Sequence, residues 1–290
     1  MRLAQRLEAE GRHTVVLNAD SAQVYADLHV LSARPTHGEM GGIEHRLFGI
    51  WDGARACSAA DWAAAAKREI AALHAEGAVP ILVGGTGLYL RILLDGIAPV
   101  PPIDPAVRAE VRALPQAEAR AALEREDPAA ARRLARADTA RTARALEVVR
   151  STGRALAHWQ GENRGGIGRG VDLHTLVLLP ERQWLGERCD LRFAAMLDGG
   201  ARDEVTALLQ RKLDPALPVM RAIGVGEVAG WLGGQLTREE ALVAGQLATR
   251  RYAKRQYTWF RRQPPREWIG VEFQNCFDSA IEELFVQLRR

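Results

Sequence analysis

This sequence predicts an α/β fold, a parallel-sheet core carrying a helical insertion, and three observations point to it. Short apolar runs at 15–17, 79–83 and 174–180 each give way to a polar or glycine-bearing turn and then to helix-forming sequence, the rhythm of strand–loop–helix units. Between PVPPIDP (99–105), a stiff boundary, and the glycine-rich GGIGRG (165–170) the pattern is helical only. The 290 residues allow one large domain with a smaller one set into it. The expected division is a core of residues 1–100 and 172–290 and an insertion of residues 101–171.

Composition narrows the class. Lys plus Arg outnumber Asp plus Glu by 39 to 36, so the local clustering of charge carries more information than the net +3. Three widely separated cysteines suggest neither a disulfide framework nor a zinc knuckle. No apolar run is long enough to span a bilayer, and the opening MRLAQRLEAEG is amphipathic and helical, unlike a secretory signal. A cytoplasmic protein is expected.

Taken in order, Leu3 and Leu7 mark a short first helix that Gly11 can end. The stretch TVVLNADSAQVY (14–25) then reads as a buried strand that runs out into polar residues, where α/β proteins commonly place their chemistry. Asp20 and Ser21 there suit either that chemistry or the cap of a following helix or turn. LSARPTHGEMGG and EHRLFGIWDGARA read as loops, broken by Pro35 and several glycines. Ser58 and Asp61 form a capping-box variant at the head of an alanine-rich helix over 59–76.

VPILVGGTGLYL (79–90) predicts strand, tight turn and helix. Gly84 and Gly85 let a backbone approach a ligand, and Thr86 offers a hydroxyl; the same glycines equally suit close packing. Within the insertion, helices are expected near 105–113, 116–125, 128–136 and 138–152. Seven arginines against two acids lie between Arg132 and Arg154. They are either a solvated surface or a polyanion site.

After the strand at 174–180, Leu191, Met196 and Leu197 are expected to form the buried face of the next helix, and a further helix is expected over 203–213. In MRAIGVGEVAGWLGG, Gly224 and Gly226 suggest that the backbone passes close to something bulky. Thr237 and Glu240 make a capping box for a long helix ending before Pro264. Arg251, Lys254, Arg255, Thr258 and Arg262 fall at i, i+3, i+4, i+7 and i+11, which lines cations along one face for phosphates. Tyr252, Tyr257, Trp259 and Phe260 among them suit either base stacking or the core.

Several of these stretches together resemble one family, the tRNA dimethylallyltransferases or tRNA isopentenyltransferases. NADSAQVY, ARPT, HRLFGIWD, CSAADW, PILVGGTGLYL, RALEV, RAIGVGE and AKRQYTWFRR occur in that family's order over nearly the whole chain. The resemblance implies a P-loop NTPase-like, nucleotide- and ATP-binding core with a helical insertion. It also implies transfer of a dimethylallyl group from dimethylallyl diphosphate to the exocyclic N6 amine of the adenosine 3′ to the anticodon of tRNA, at position 37.

By motif position Asp20 would be the catalytic base, a useful role because the amine's lone pair is delocalised into the ring. Ser21, Ala22 and Gln23 would hold an adenosine taken out of its stack, and Gly85 with Thr86 would meet substrate. Thr86, Arg108, Ala140, Arg141, Thr142, Ala143 and Arg144 match tRNA-contacting positions. So do Arg221, Ala222, Ile223, Gly224, Val225 and Gly226, and Arg251, Lys254, Arg255 and Arg262 would lie along the anticodon stem. Mg2+ is the implied cofactor, with no metal ligand assigned in this chain, and a monomer is expected.

The sequence departs from the family's pattern in places. That pattern opens with a strand and a GPTxSGKS/T-like loop for the diphosphate, and no such loop occurs here; the chain as written is therefore expected to transfer little or nothing. Gly53 stands where proline is usual, Cys57 where tyrosine is usual, and Val225 with Gly226 where an aromatic and a basic residue are common. Two other readings share parts of this evidence: a non-catalytic tRNA-binding relic, and a P-loop small-molecule phosphotransferase, which leaves both basic clusters unexplained.

Overall fold

The computed structural model describes residues 1–265, 268–271 and 274–288, excluding the side chains of 269 and 274–277. The chain forms two compact units, Met1–Leu93 with Val171–Arg290, and Leu94–Gly170.

In the larger unit α1 (Arg2–Ala9) leads into β1 (Thr14–Asn18), and a short α2 (His37–Met40) precedes β2 (Glu44–Arg46). Then follow α3 (Ala59–Ala75), β3 (Val79–Val83) and α4 (Gly87–Asp95), whose last two residues belong to the smaller unit. β1 is the middle strand, parallel to both neighbours, with Val16 opposite His45 and Ile81. Every residue of β1 is buried, as a strand covered on both faces requires. One face is closed by Ala4 of α1, which joins Val16 and Ile43. β2 and α2 lie inside stretches whose glycines and Pro35 read as loop. Three residues held only by parallel pairing to β1 carry no periodic signal of their own.

The smaller unit contains β4 (Gly96–Ile97), α5 (Pro105–Ala113), α6 (Gln116–Glu126), α7 (Pro128–Arg133), α8 (Thr139–Thr152), α9 (Leu156–Gln160) and β5 (Arg164–Gly165). Val111, Leu123, Ala131 and Leu146 form its core. Prolines at the first turns of α5 and α7 and aspartates at their N-caps set the breaks between helices. The ribbon of β4 with β5 ties residues 96–97 to this unit, so it begins ahead of the proline-rich stretch.

The chain then returns to the larger unit through β6 (Leu176–Leu178), α10 (Arg182–Asp198) and α11 (Ala201–Gln210). A 3-10 turn at Pro218–Arg221 leads to α12 (Val225–Leu232), α13 (Arg238–Arg262), β7 (Ile269–Val271) and α14 (Gln274–Leu288). β6 and β7 pair in parallel, and α14 packs on α1.

The buried face of α10 differs from the expected one. Cys189, Phe193 and Leu197 point inward at four-residue spacing, while Leu191 is exposed and Met196 only partly buried. Phe193 decides this. Its ring fills the hollow left by Gly245 of α13, where an added Cβ would stand 2.0 Å from it. Gly224, at φ +93°, leaves no room for a side chain against Leu31 and the same ring, as its glycine suggested, whereas Gly226 faces open space.

Candidate active site

The site grows from the end of β1. Asn18 is fully buried, and its amide turns the chain: Oδ1 accepts the Asp20 N–H at 2.8 Å, and Nδ2 donates to the carbonyls of Asp20 (3.0 Å) and Leu47 (3.1 Å). The Asn18 carbonyl in turn accepts from the Trp62 indole at 2.9 Å. All of these groups are satisfied, so the strand exit is rigid. No helix follows. Residues 21–24 form a turn in which Asp20 Oδ1 accepts the Ala22 N–H at 2.8 Å, so the capping alternative for Asp20 reduces to this one bond. The Asp20 carboxylate is partly buried. Burial raises its pKa above the ordinary carboxylate value, against the opposing pull of the Ala22 and Gln23 amides.

Three hydroxyls stand beside it. Ser21 donates its N–H to Thr86 Oγ1 at 2.9 Å, and the two side-chain hydroxyls lie 3.2 Å apart. The Tyr252 phenol of α13 lies near both, and its pKa too is raised, first by burial and then by the Asp20 charge. On the other side Tyr89 stacks on Trp62 at 4.5 Å between ring centres and points its hydroxyl at Cys57 Sγ, 3.7 Å away. Cys57 donates its N–H to the Tyr25 hydroxyl at 3.1 Å. Burial, followed by the nearby Cys57, Tyr25 and Asp20, pushes the Tyr89 phenol upward, so it stays protonated.

The GGTG turn is close-packed. A Cβ on Gly84 would meet the Ala19 backbone at 2.2 Å, one on Gly85 the Gln256 amide at 2.0 Å, and one on Gly87 the Trp259 ring at 2.3 Å. Gln256 also donates to the Gly85 carbonyl at 3.1 Å. The space that Gly85 leaves therefore serves α13 rather than a ligand. Thr86 alone of the four residues presents a functional group toward Asp20's neighbours.

The remaining predicted residues are placed as follows. Gln23 spends both amide hydrogens on the carbonyls of Ser32 (3.0 Å) and Ala33 (2.9 Å), which pins the turn after the site. Ala22 is partly buried. In the segment 221–226, Arg221 and Gly226 are exposed, Ala222 and Ile223 partly so, and Gly224 and Val225 buried. In the smaller unit Arg108, Ala140 and Arg141 are exposed, Ala143 and Arg144 partly buried, and Thr142 fully buried with its hydroxyl unpartnered. Arg251, Lys254, Arg255, Thr258 and Arg262 are all exposed along α13. Arg266, the last of seven basic residues between Ala241 and Arg266, lies outside the described residues.

Two groups escaped sequence reasoning. Tyr252 was one aromatic among four on a basic helix, although its spacing to Gln256 and Trp259 marks one face. Glu204 of α11 accepts from the amides of His29, Val30 and Leu31 at 2.5, 2.7 and 2.9 Å and so clamps the loop after the site. A contact spanning 175 residues leaves no sequence signal. Gly53 has a local reason too: its N–H donates to Asp27 at 2.8 Å, and proline has no such donor.

A parallel α/β core, a carboxylate at a strand's C-terminal end and a long helix with an exposed cationic face are the parts of a group-transfer enzyme that works on a polyanion. The chain belongs to the IPP transferase family, whose model matches residues 23–263. It is 65% identical over 285 residues to a tRNA dimethylallyltransferase of Erythrobacter litoralis, covering 98% of this chain and 89% of that one. A tRNA dimethylallyltransferase of Novosphingobium aromaticivorans is 66% identical over 270 residues, covering 93% and 96%. Among solved structures, the full-length tRNA isopentenylpyrophosphate transferase of Bacillus halodurans aligns with a TM-score of 0.65 at 30% identity, over 100% of this chain and 93% of that one.

Proposed function

We propose that this protein transfers a dimethylallyl group from dimethylallyl diphosphate to the N6 amine of the adenosine 3′ to the anticodon of tRNA. The amine nitrogen bonds to the allylic carbon as the bond from that carbon to diphosphate breaks, and Asp20 takes the amine proton. What supports this is the Asp20 carboxylate, held by the Ala22 amide on a rigid strand exit beside three hydroxyls. Its raised pKa makes it a better proton acceptor than an ordinary surface carboxylate. The relatives' names give the reaction its identity.

The exposed row on α13 would bind stem phosphates, supplying affinity and register, while Arg108, Arg141, Arg144 and Arg221 would add contacts elsewhere. Mg2+ would accompany the diphosphate as its counter-ion. Among the described residues no group of three or more His, Cys, Asp or Glu gathers to cage a metal, and no step here runs through the ion. No helix among the described residues is long and apolar enough to cross a membrane. The proposed setting is the cytoplasm and the proposed state a monomer.

The test is transfer of labelled dimethylallyl to tRNA by the wild type and by Asp20→Asn, each made both as these 290 residues, which are expected to transfer little, and with a strand and diphosphate-binding loop added ahead of Met1, the form in which the two rates are compared. The variant is expected to lose about a hundredfold or more in rate while binding tRNA within twofold of wild type. An Asn variant as fast as wild type removes Asp20 from the reaction. A wild-type protein that fails to bind tRNA at low salt overturns the reading in favour of a small-molecule phosphotransferase.

A further inference from the structure

Asn18 is the last residue of β1 and has no exposed surface, although asparagine is a poor strand former and the residues before it read TVVL. Its side chain is spent mainly on one neighbour. Oδ1 accepts the Asp20 N–H at 2.8 Å, an Asx turn that by itself would only bend the chain, and Nδ2 donates to the Asp20 carbonyl at 3.0 Å. One amide thus grips the main chain of Asp20 on both sides of its α-carbon. The second Nδ2 hydrogen goes to the Leu47 carbonyl at 3.1 Å. Leu47 is left-handed there, at φ +69°, a conformation that leucine keeps only where its surroundings hold it. The residue between is fixed as well: Ala19 donates to the Val83 carbonyl at 2.8 Å and accepts from the Thr86 N–H at 3.2 Å. From this anchored main chain the Asp20 carboxylate reaches the Ala22 N–H at 2.8 Å. Alanine at position 18 would leave the Asp20 N–H and two carbonyls without their partner, and aspartate would offer oxygen where both carbonyls need a donor.

We propose that Asn18 is a positioning residue for the base: its side-chain amide aims the Asp20 carboxylate at the amine that it deprotonates, without itself touching substrate. The inference rests on the proposed tRNA adenosine reaction. Proton transfer needs donor and acceptor within hydrogen-bond reach, so a carboxylate free to swing loses rate rather than affinity. Asn18 reaches the chemistry only through Asp20, and its removal should therefore matter only while residue 20 is a carboxylate.

Two measurements test this. The first is amide hydrogen exchange in the 290-residue chain, wild type and Asn18→Ala. The Ala22 N–H bonds the Asp20 carboxylate and not Asn18, so its exchange reports whether that carboxylate has stayed in place. It is expected to exchange about tenfold faster in the variant, while the amides of Val16 and Leu17 stay within about twofold of wild type. Acceleration of all three alike would mean a loosened strand and overturns the proposal. The second is kcat and KM for tRNA in the form with the added strand and diphosphate-binding loop, for Asn18→Ala, Asp20→Asn and the double variant. Asn18→Ala is expected to lose about tenfold in kcat with KM within about twofold of wild type, and to slow Asp20→Asn by less than about twofold. Asn18→Asp keeps the side chain's volume and the acceptor for the Asp20 N–H, and it should show the same split if the alanine variant does not fold. An unchanged kcat in the folded variant, a loss carried by KM, or losses of equal size in both backgrounds overturns the proposal and leaves the reaction standing. An Asp20→Asn protein as fast as wild type removes the proposed base and this inference with it.

Discussion

The outer and inner faces of α13 are built from interleaved residues and do opposite things. Outward go Arg251, Lys254, Arg255, Thr258 and Arg262, exposed and spaced to track a line of phosphates. Inward go Gly245, Tyr252, Gln256 and Trp259, which face Phe193, the Ser21 and Thr86 hydroxyls, Gly85 and Gly87. The outer face works by charge at a distance and tolerates change, because water screens it and no shape is matched. The inner face works by contact and tolerates little. One helix thus carries both an electrostatic track and one wall of a pocket, and a change on either face should show up in a different measurement.

The largest effect should come from the inner face. Phe193→Ala empties the space shared with Gly245 and Gly224 and is expected to cost about 3–5 kcal/mol in urea unfolding. Gly87→Ala presses a methyl group into the Trp259 ring and should cost about 1–3 kcal/mol, because an indole packed on a turn cannot move aside freely. If either variant unfolds like wild type, the inner face is not the contact surface described here. On the outer face, Arg251→Ala with Lys254→Ala should leave stability within about 0.5 kcal/mol of wild type. The same pair should lower the slope of log affinity for tRNA against log salt by roughly 1.8, about 0.9 for each duplex phosphate contact. An unchanged slope would take phosphate binding away from this face.

The sequence made the outer face visible and hid most of the inner one. A row of cations at i, i+3, i+4, i+7 and i+11 depends only on helix geometry, so it is readable as soon as the helix is. The strands at 14–18 and 79–83, the capping boxes at Ser58 and Thr237 and the helical unit's proline breaks are local in the same sense. What Gly85 and Gly87 face depends on a helix about 170 residues away in the chain, and so their packing role and a ligand role looked alike. Leu191 was misplaced for a related reason. Two frames of α10 offer apolar residues, and the choice between them was made by Gly245, a hollow on another helix. Within the site, Asp20 was legible because a strand end followed by polar residues is a local pattern, whereas its neighbours Tyr252 and Tyr89 arrive by tertiary packing.

The smallest effect joins the two faces at Asp20, whose burial the inner face helps to produce. Burial makes this carboxyl hold its proton to a higher pH in the folded chain than its ordinary value of 3.8. Above that value the folded protein therefore binds more protons than the unfolded one, and the Asp20 contribution to stability falls as pH rises through the window up to the raised pKa. The ionised carboxylate at neutral pH thus costs stability. Asn at the same place keeps an acceptor for the Ala22 amide and has no charge to desolvate. Asp20→Asn should accordingly melt higher than wild type at pH 7, with the gap closing as pH drops below the ordinary carboxylate range. Transfer by the wild type should fall on acidification at a pH above that range, because only the ionised form accepts the amine proton. Equal melting of the two proteins at pH 7 would mean that Asp20 is solvated in the folded state, and the wall formed by Tyr252 and Tyr89 would then not shield it.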